Sequence, residues 1–172
     1  NLFIGAGFSV LAKNKFDEYL KLASEIKSDI ITEFDLDRYK EKPLSTIASH
    51  LNKTKQGEFY HFLKEKYKIF NFPKEYASIS KLPLKNIFTT NIDDLIECIF
   101  KEPFYGKYID DVEVVGRTES PGISLFKFHG SISYTYDKKL IFSTEEIATT
   151  ILKDPALLYS IATKIISIPT LF

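Results

Sequence analysis

At 172 residues, 44% of them hydrophobic, the chain is long enough to bury one sizeable core. Its formal net charge of +0 gives no broad electrostatic case for binding nucleic acid or an acidic membrane, and no apolar run reaches the roughly 18 residues of a membrane span. The single cysteine, Cys98, excludes an internal disulfide and any zinc module built from several cysteines, so the expected compartment is a reducing cytoplasm.

Leu2 to Ile4 reads as a short buried strand that runs into Gly5-Ala6-Gly7-Phe8-Ser9. A helical pattern is expected from about Phe16, where Phe16, Tyr19, Leu20, Ala23 and Ile26 recur at three- and four-residue steps. Asp29 to Arg38 fits either a short strand or a helix. Leu44, Ile47, Ala48 and Leu51 mark an amphipathic helix after Pro43, and Phe59, Phe62, Leu63 and Tyr67 mark another. Pro73 and Glu75 open a short helix through Ala77 and Ile79, which Pro83 breaks. A second buried strand, Asn86 to Thr89, leads through Thr90-Asn91-Ile92-Asp93-Asp94 into a helix bearing Leu95, Ile96, Ile99 and Phe100.

Residues 103 to 122 carry Pro, Gly and charges around a strand-like Val112 to Val115. A third buried strand, Ser124 to Phe128, ends at His129-Gly130. Tyr134 to Phe142 reads as a hairpin, and Ser143 with Glu146 as a capping box. Asp154 and Pro155 start a last helix before a final strand begins at Ile168. Strands alternating with helices predict an α/β fold, a Rossmann-like and mainly parallel sheet with helices on both faces. The helix-rich insert over about 35–82 is expected to pack as a small helical lobe. With no methionine and strand-like residues at both ends, residues 1–172 read as one domain of a longer polypeptide.

In such sheets the ligand crevice lies beyond the carboxyl ends of the strands. Three strands here end in unusual residues. At Gly5 to Ser9 the glycines either permit a positive-φ turn or let backbone amides approach phosphate oxygens, helped by a following helix dipole and the Ser9 hydroxyl. A dinucleotide fingerprint would want a third glycine where this chain has Val10. Asn91 and Asp93 either cap the following helix or face a ligand; two positions apart, they point one way and leave Ile92 to point another. His129 is either a structural imidazole or a base that titrates near neutral pH, with Gly130 opening backbone access. His50 and His61 fall on helix faces and read as surface or core residues.

The set GAGFS, TTNIDDLIE and KFHGS, in this order along the chain, resembles the sirtuin-like, or silent-information-regulator-like, NAD-consuming domains. It is most similar to the bacterial branch found in antiphage defence proteins, where the domain destroys NAD. The resemblance implies an NAD hydrolase with NAD as substrate and no metal. It implies that Gly5, Ala6, Gly7 and Ser9 hold the pyrophosphate and adjoining ribose, and that Phe8 walls the pocket against water. Asn91 would position the attacking water and a ribose hydroxyl, with Thr90 beside it. Asp93, with the backbone of Ile92, would grip the nicotinamide carboxamide. His129, followed by Gly130, would bind ribose hydroxyls and act as base. Because unregulated NAD cleavage would poison the host, attached domains or a partner subunit are expected to sense a trigger and act through a homo-oligomer; the zero net charge and short apolar runs predict no direct nucleic-acid or membrane contact by this domain.

Three departures weaken the case for a protein deacylase of that family: no cysteine-built zinc module, no G-I-P-D-F-R-like stretch after the glycines, and a long interval from Asn91 to His129. The rival functions are a hydride-transferring oxidoreductase, a module that binds NAD or ADP-ribose without cutting it, a deacylase and a scaffold. Free nicotinamide after incubation with NAD separates the first two from a hydrolase.

Overall fold

The computed structural model describes residues 1–101, 109–112, 123–133, 140–142, 148–149 and 155–171. Strands β1 (Leu2–Ile4), β2 (Asn86–Thr89), β3 (Ile109–Val112) and β4 (Ile123–Lys127) form one sheet in the order β1-β2-β4-β3. Every pairing is parallel, with Phe3 opposite Phe88 and Phe88 opposite Phe126. Beyond β1 the chain end adds a parallel bridge from Leu2 to Leu171, where the sequence predicts a final strand. The helices are α1 (Ala23–Glu33), α2 (Leu44–Thr54), α3 (Gln56–Tyr67), α4 (Leu95–Lys101) and α5 (Pro155–Ser167).

Strand alternation sorts the sheet into two faces. Ile4, Ile87 and Leu125 pack with Leu95, Ile96 and Ile99 of α4. Phe3, Phe88, Phe126 and Phe128 meet Ile161 of α5 on the opposite face. The Phe88 and Phe126 rings stack at 4.9 Å between centroids, a cross-strand aromatic pair of the kind that stabilises sheets by about 0.2–1 kcal/mol. Helices therefore cover both faces of a parallel sheet, the Rossmann-like arrangement expected from the sequence.

A separate core holds α1, α2 and α3 together through Ile26, Ile30, Ile47, Ala48, Leu51, Phe59 and Leu63. Ile92 and Ile132, from the turns after β2 and β4, insert into that same core. The Tyr60 hydroxyl clamps the junction by donating to the Ile132 carbonyl at 2.6 Å.

Four expectations need correction. The helix expected from Phe16 starts only at Ala23. Asn14 is the reason: its buried Oδ1 accepts from the Phe16 and Glu18 amides at 2.9 and 3.2 Å, capturing donors that a first helical turn would use. Asp17 takes φ 62°, Lys13 and Tyr19 pair as an antiparallel bridge, and the Phe16 ring is 54% exposed. Second, the segment at Pro73 is a 3-10 helix, Lys74–Lys81. Third, the strand near Val112 is Ile109–Val112, earlier than expected, with 113–115 outside the described residues. Leu140 to Phe142 carries no strand. The remainder of the expected hairpin, the capping box at Ser143 and Glu146, and Asp154 lie outside the described residues.

Candidate active site

The carboxyl ends of β1, β2 and β4 are neighbours in the sheet, so the chain segments that leave them converge. A cleft of about 320 Å3 opens there, bordered by Ala6, Ser9, Thr90, Asn91, Ile92, Asp93 and His129. Its other wall comes from Leu20, Lys21, Ala23, Ile26, Pro43, Leu44, Ser45, Leu63, Tyr67 and Phe142.

Ser9 joins the first two segments. Its hydroxyl oxygen accepts from Asn91 Nδ2 at 3.0 Å, and the same hydroxyl helps to lower the pKa of the Asp93 carboxyl group. The Asn91 amide N–H donates to Thr89 Oγ1 at 2.9 Å. Held at both points, Asn91 leaves its Oδ1 buried and without a hydrogen-bond partner among the described residues. Such an orphaned acceptor costs about 1–3 kcal/mol. A ligand hydroxyl or a water would satisfy it.

Asp93 does two things at once. Its Oδ1 accepts from the Leu95 amide at 3.1 Å, capping α4, while its side chain borders the cleft. Burial raises its pKa above the ordinary carboxylate value, opposed by the Lys127 charge and by the bonds from Leu95 and Ser9. Asp94 faces away and is structural: it accepts from the Ile69 amide and the Lys68 ammonium, each at 2.8 Å. Ile92 is buried in the helical core, the separation from its neighbours that two-residue spacing predicts.

His129 follows β4 on a turn closed by Gly130, whose φ of 85° is the one glycine angle among the described residues that demands glycine. The His129 carbonyl accepts from Ile141 at 3.0 Å, and its ring lies 6.5 Å from Phe142. Burial lowers its pKa below the usual imidazole value, which favours the neutral ring, the form that can accept a proton. His50 instead stacks on Tyr39 at 4.9 Å, and His61 is exposed.

The glycine loop departs from expectation. Ala6–Ser9 is a single 3-10 turn, not the start of a long helix, so no helix dipole points from it. Neither Gly5 nor Gly7 has positive φ; both are exposed and face open space where a Cβ would stand. Gly5, Gly7, Phe8 and Gly130 do not border the cleft. Phe8 packs edge-on against Tyr76 at 5.1 Å, and its carbonyl accepts from the Tyr76 hydroxyl at 2.5 Å. An apolar ring beside an apolar core gains more there than at an open polar rim.

Several cleft residues carry no motif. Lys21 Nζ pairs with Asp29 at 2.5 Å, and the Tyr67 hydroxyl donates to the Lys21 carbonyl at 2.8 Å. Burial, together with the Asp93 and Asp29 charges, pushes the Tyr67 phenol above its ordinary pKa. Tyr67 arrives from α3 of the helical lobe and Lys21 from the segment before α1, and neither lies in a sheet turn, so only an expectation of how these segments dock would have found them.

The family model that matches the chain is that of the SIR2-like domain, over residues 85–172. That half carries β2, the Asn91–Asp93 turn, β4 and His129. The chain belongs to the SIR2-like domain family. Domains of this family bind NAD, and the matched half of this SIR2-like chain supplies Thr90, Asn91, Ile92, Asp93, His129 and Phe142 to the cleft. The glycine loop and helical lobe lie before the matched segment. No curated protein matches the chain. No helix among the described residues is long and apolar enough to cross a membrane, and no three His, Cys, Asp or Glu side chains among them gather to hold a metal ion.

Proposed function

We propose that this SIR2-like domain hydrolyses the bond between nicotinamide and ribose in NAD. The observation that carries the reading is one cleft in which a buried, unpartnered Asn91 Oδ1 stands with Asp93 and His129. The nicotinamide of NAD is already cationic, so it departs as a neutral base without a general acid. The site must stabilise an oxocarbenium-like ribosyl transition state and admit one water. Asn91 Oδ1 accepts from that water or from a ribose hydroxyl, its orientation set by Ser9. His129 takes the proton as the water oxygen bonds to the ribosyl carbon and the glycosidic bond breaks. Nicotinamide and ADP-ribose are the products. Asp93 and the Ile92 backbone hold the carboxamide, and the apolar wall of Leu20, Ile26, Leu44, Leu63 and Phe142 suits a flat ring and limits stray water.

In the cell, such an activity depletes NAD. We therefore propose an effector role in antiphage defence, in the cytoplasm, silent until attached domains or a partner subunit sense the trigger and drive oligomerisation. Incubating the protein with NAD and measuring free nicotinamide, with and without phage infection, tests both parts. Asn91→Ala and His129→Ala should each lower nicotinamide release by about 10²-fold or more with the thermal transition unchanged. Full cleavage by either variant sinks the site assignment. NAD retained intact on the active protein points to a binding module instead.

A further inference from the structure

Below the cleft, Lys127 is 2% exposed. It ends β4, and its ammonium spends all three protons on the Asp93 carbonyl at 2.5 Å, Glu97 Oε1 at 2.5 Å and Ser131 Oγ at 3.2 Å. These partners belong to both catalytic turns. Asp93 closes the Asn91 turn, Glu97 lies in the first turn of α4 behind it, and Ser131 follows His129 and Gly130. Two backbone bonds run the same way, from Phe128 N to the Thr89 carbonyl and from Ile132 N to the Ile92 carbonyl, each at 2.9 Å.

A buried ion pair is seldom the most stable solution, since apolar residues of similar volume often do as well or better. An ammonium at this point does what no apolar side chain can: it bonds a backbone carbonyl in one turn and a hydroxyl in the other. Resting on the hydrolase reading above, we propose that Lys127 is a positioning residue that, with Glu97, sets the separation of the Asn91 turn from the His129 turn and hence the geometry for water attack. It touches no substrate.

Removing one charge alone strands the other and destabilises the fold, so the informative variant is the pair Lys127→Met with Glu97→Leu in the full chain. The double variant should fold with a thermal transition close to the parent's. Its kcat for nicotinamide release should fall about 10²-fold, as for a small misplacement of reacting groups, with KM for NAD within about threefold. Amide exchange at Leu95 and Ile132 should quicken about tenfold while Phe88 in β2 stays protected. Parent-like kcat, or parent-like exchange at Leu95 and Ile132, overturns the assignment and leaves the pair as packing only. With the trigger supplied to parent and variant alike, a parent that still releases no nicotinamide overturns the hydrolase reading, and Lys127's part in it, whatever the exchange shows.

Discussion

His129 and Asp93 are pushed by burial toward their neutral forms, and each makes a distinct prediction. For His129 the folded-state pKa lies below the ordinary 6.5. The acid limb of kcat/KM for nicotinamide release should therefore have its midpoint below pH 6.5. Stability follows the same sign: the unfolded chain takes the proton first, so this residue's contribution is lost as pH falls from 6.5 through the lowered value. A limb centred above 6.5 would exclude His129 as the base. For Asp93 the folded pKa is raised, so its contribution is present at low pH and fades as pH rises through the folded value. Asp93→Asn keeps an oxygen for the Leu95 amide and leaves Lys127 balanced by Glu97. Denaturant titration at pH 7 should find Asp93→Asn no less stable than the parent, while nicotinamide release drops by about 10²-fold. A clear loss of stability would make Asp93 a structural carboxylate.

The elements that build the cleft were legible in unequal degree. β2, β4, α2 and α3 stand where periodicity places them, because each buries one face against a core and repeats its apolar residues accordingly. The segment 13–22 misled because Phe16, Tyr19 and Leu20 mimic helical spacing, while the Asn14 side chain settles the backbone differently. The helical lobe has its own core, and its cavity-forming variants test whether that core shapes the cleft. Ile47 is fully buried there, so Ile47→Ala should cost about 2–5 kcal/mol in chemical denaturation. The cleft wall contributed by Leu44 and Ser45 is on the same helix, so KM for NAD should rise as well. An unchanged KM would mean that the lobe's contribution to the cleft survives loosening of α2.

Across the molecule, the cleft lies where two cores meet. The sheet supplies Ser9, Asn91, Asp93 and His129; the lobe supplies Ile26, Leu44, Leu63 and Tyr67. A product held between them should tie the cores together. ADP-ribose at a hundredfold excess over its Kd should stabilise the fold by about 2.7 kcal/mol, seen as a rise in Tm. The same addition to Asn91→Ala should give a smaller rise. Equal shifts in both proteins would place the ligand elsewhere.

What the sequence determined by itself was local: which residues form buried strands, which polar and glycine residues end them, and, by their order, which family they resemble. Those signals are short-range, set by alternation, helical period and turn chemistry within a few residues. Tertiary structure alone decided that Ser9 holds Asn91, that Phe8 turns to Tyr76, and that Lys127 gathers Asp93, Glu97 and Ser131. It also decided that the helical lobe closes the cleft with Leu44, Leu63 and Tyr67. Apart from the Lys127–Ser131 bond, each of these is a contact between segments distant in sequence, and no local pattern encodes that choice.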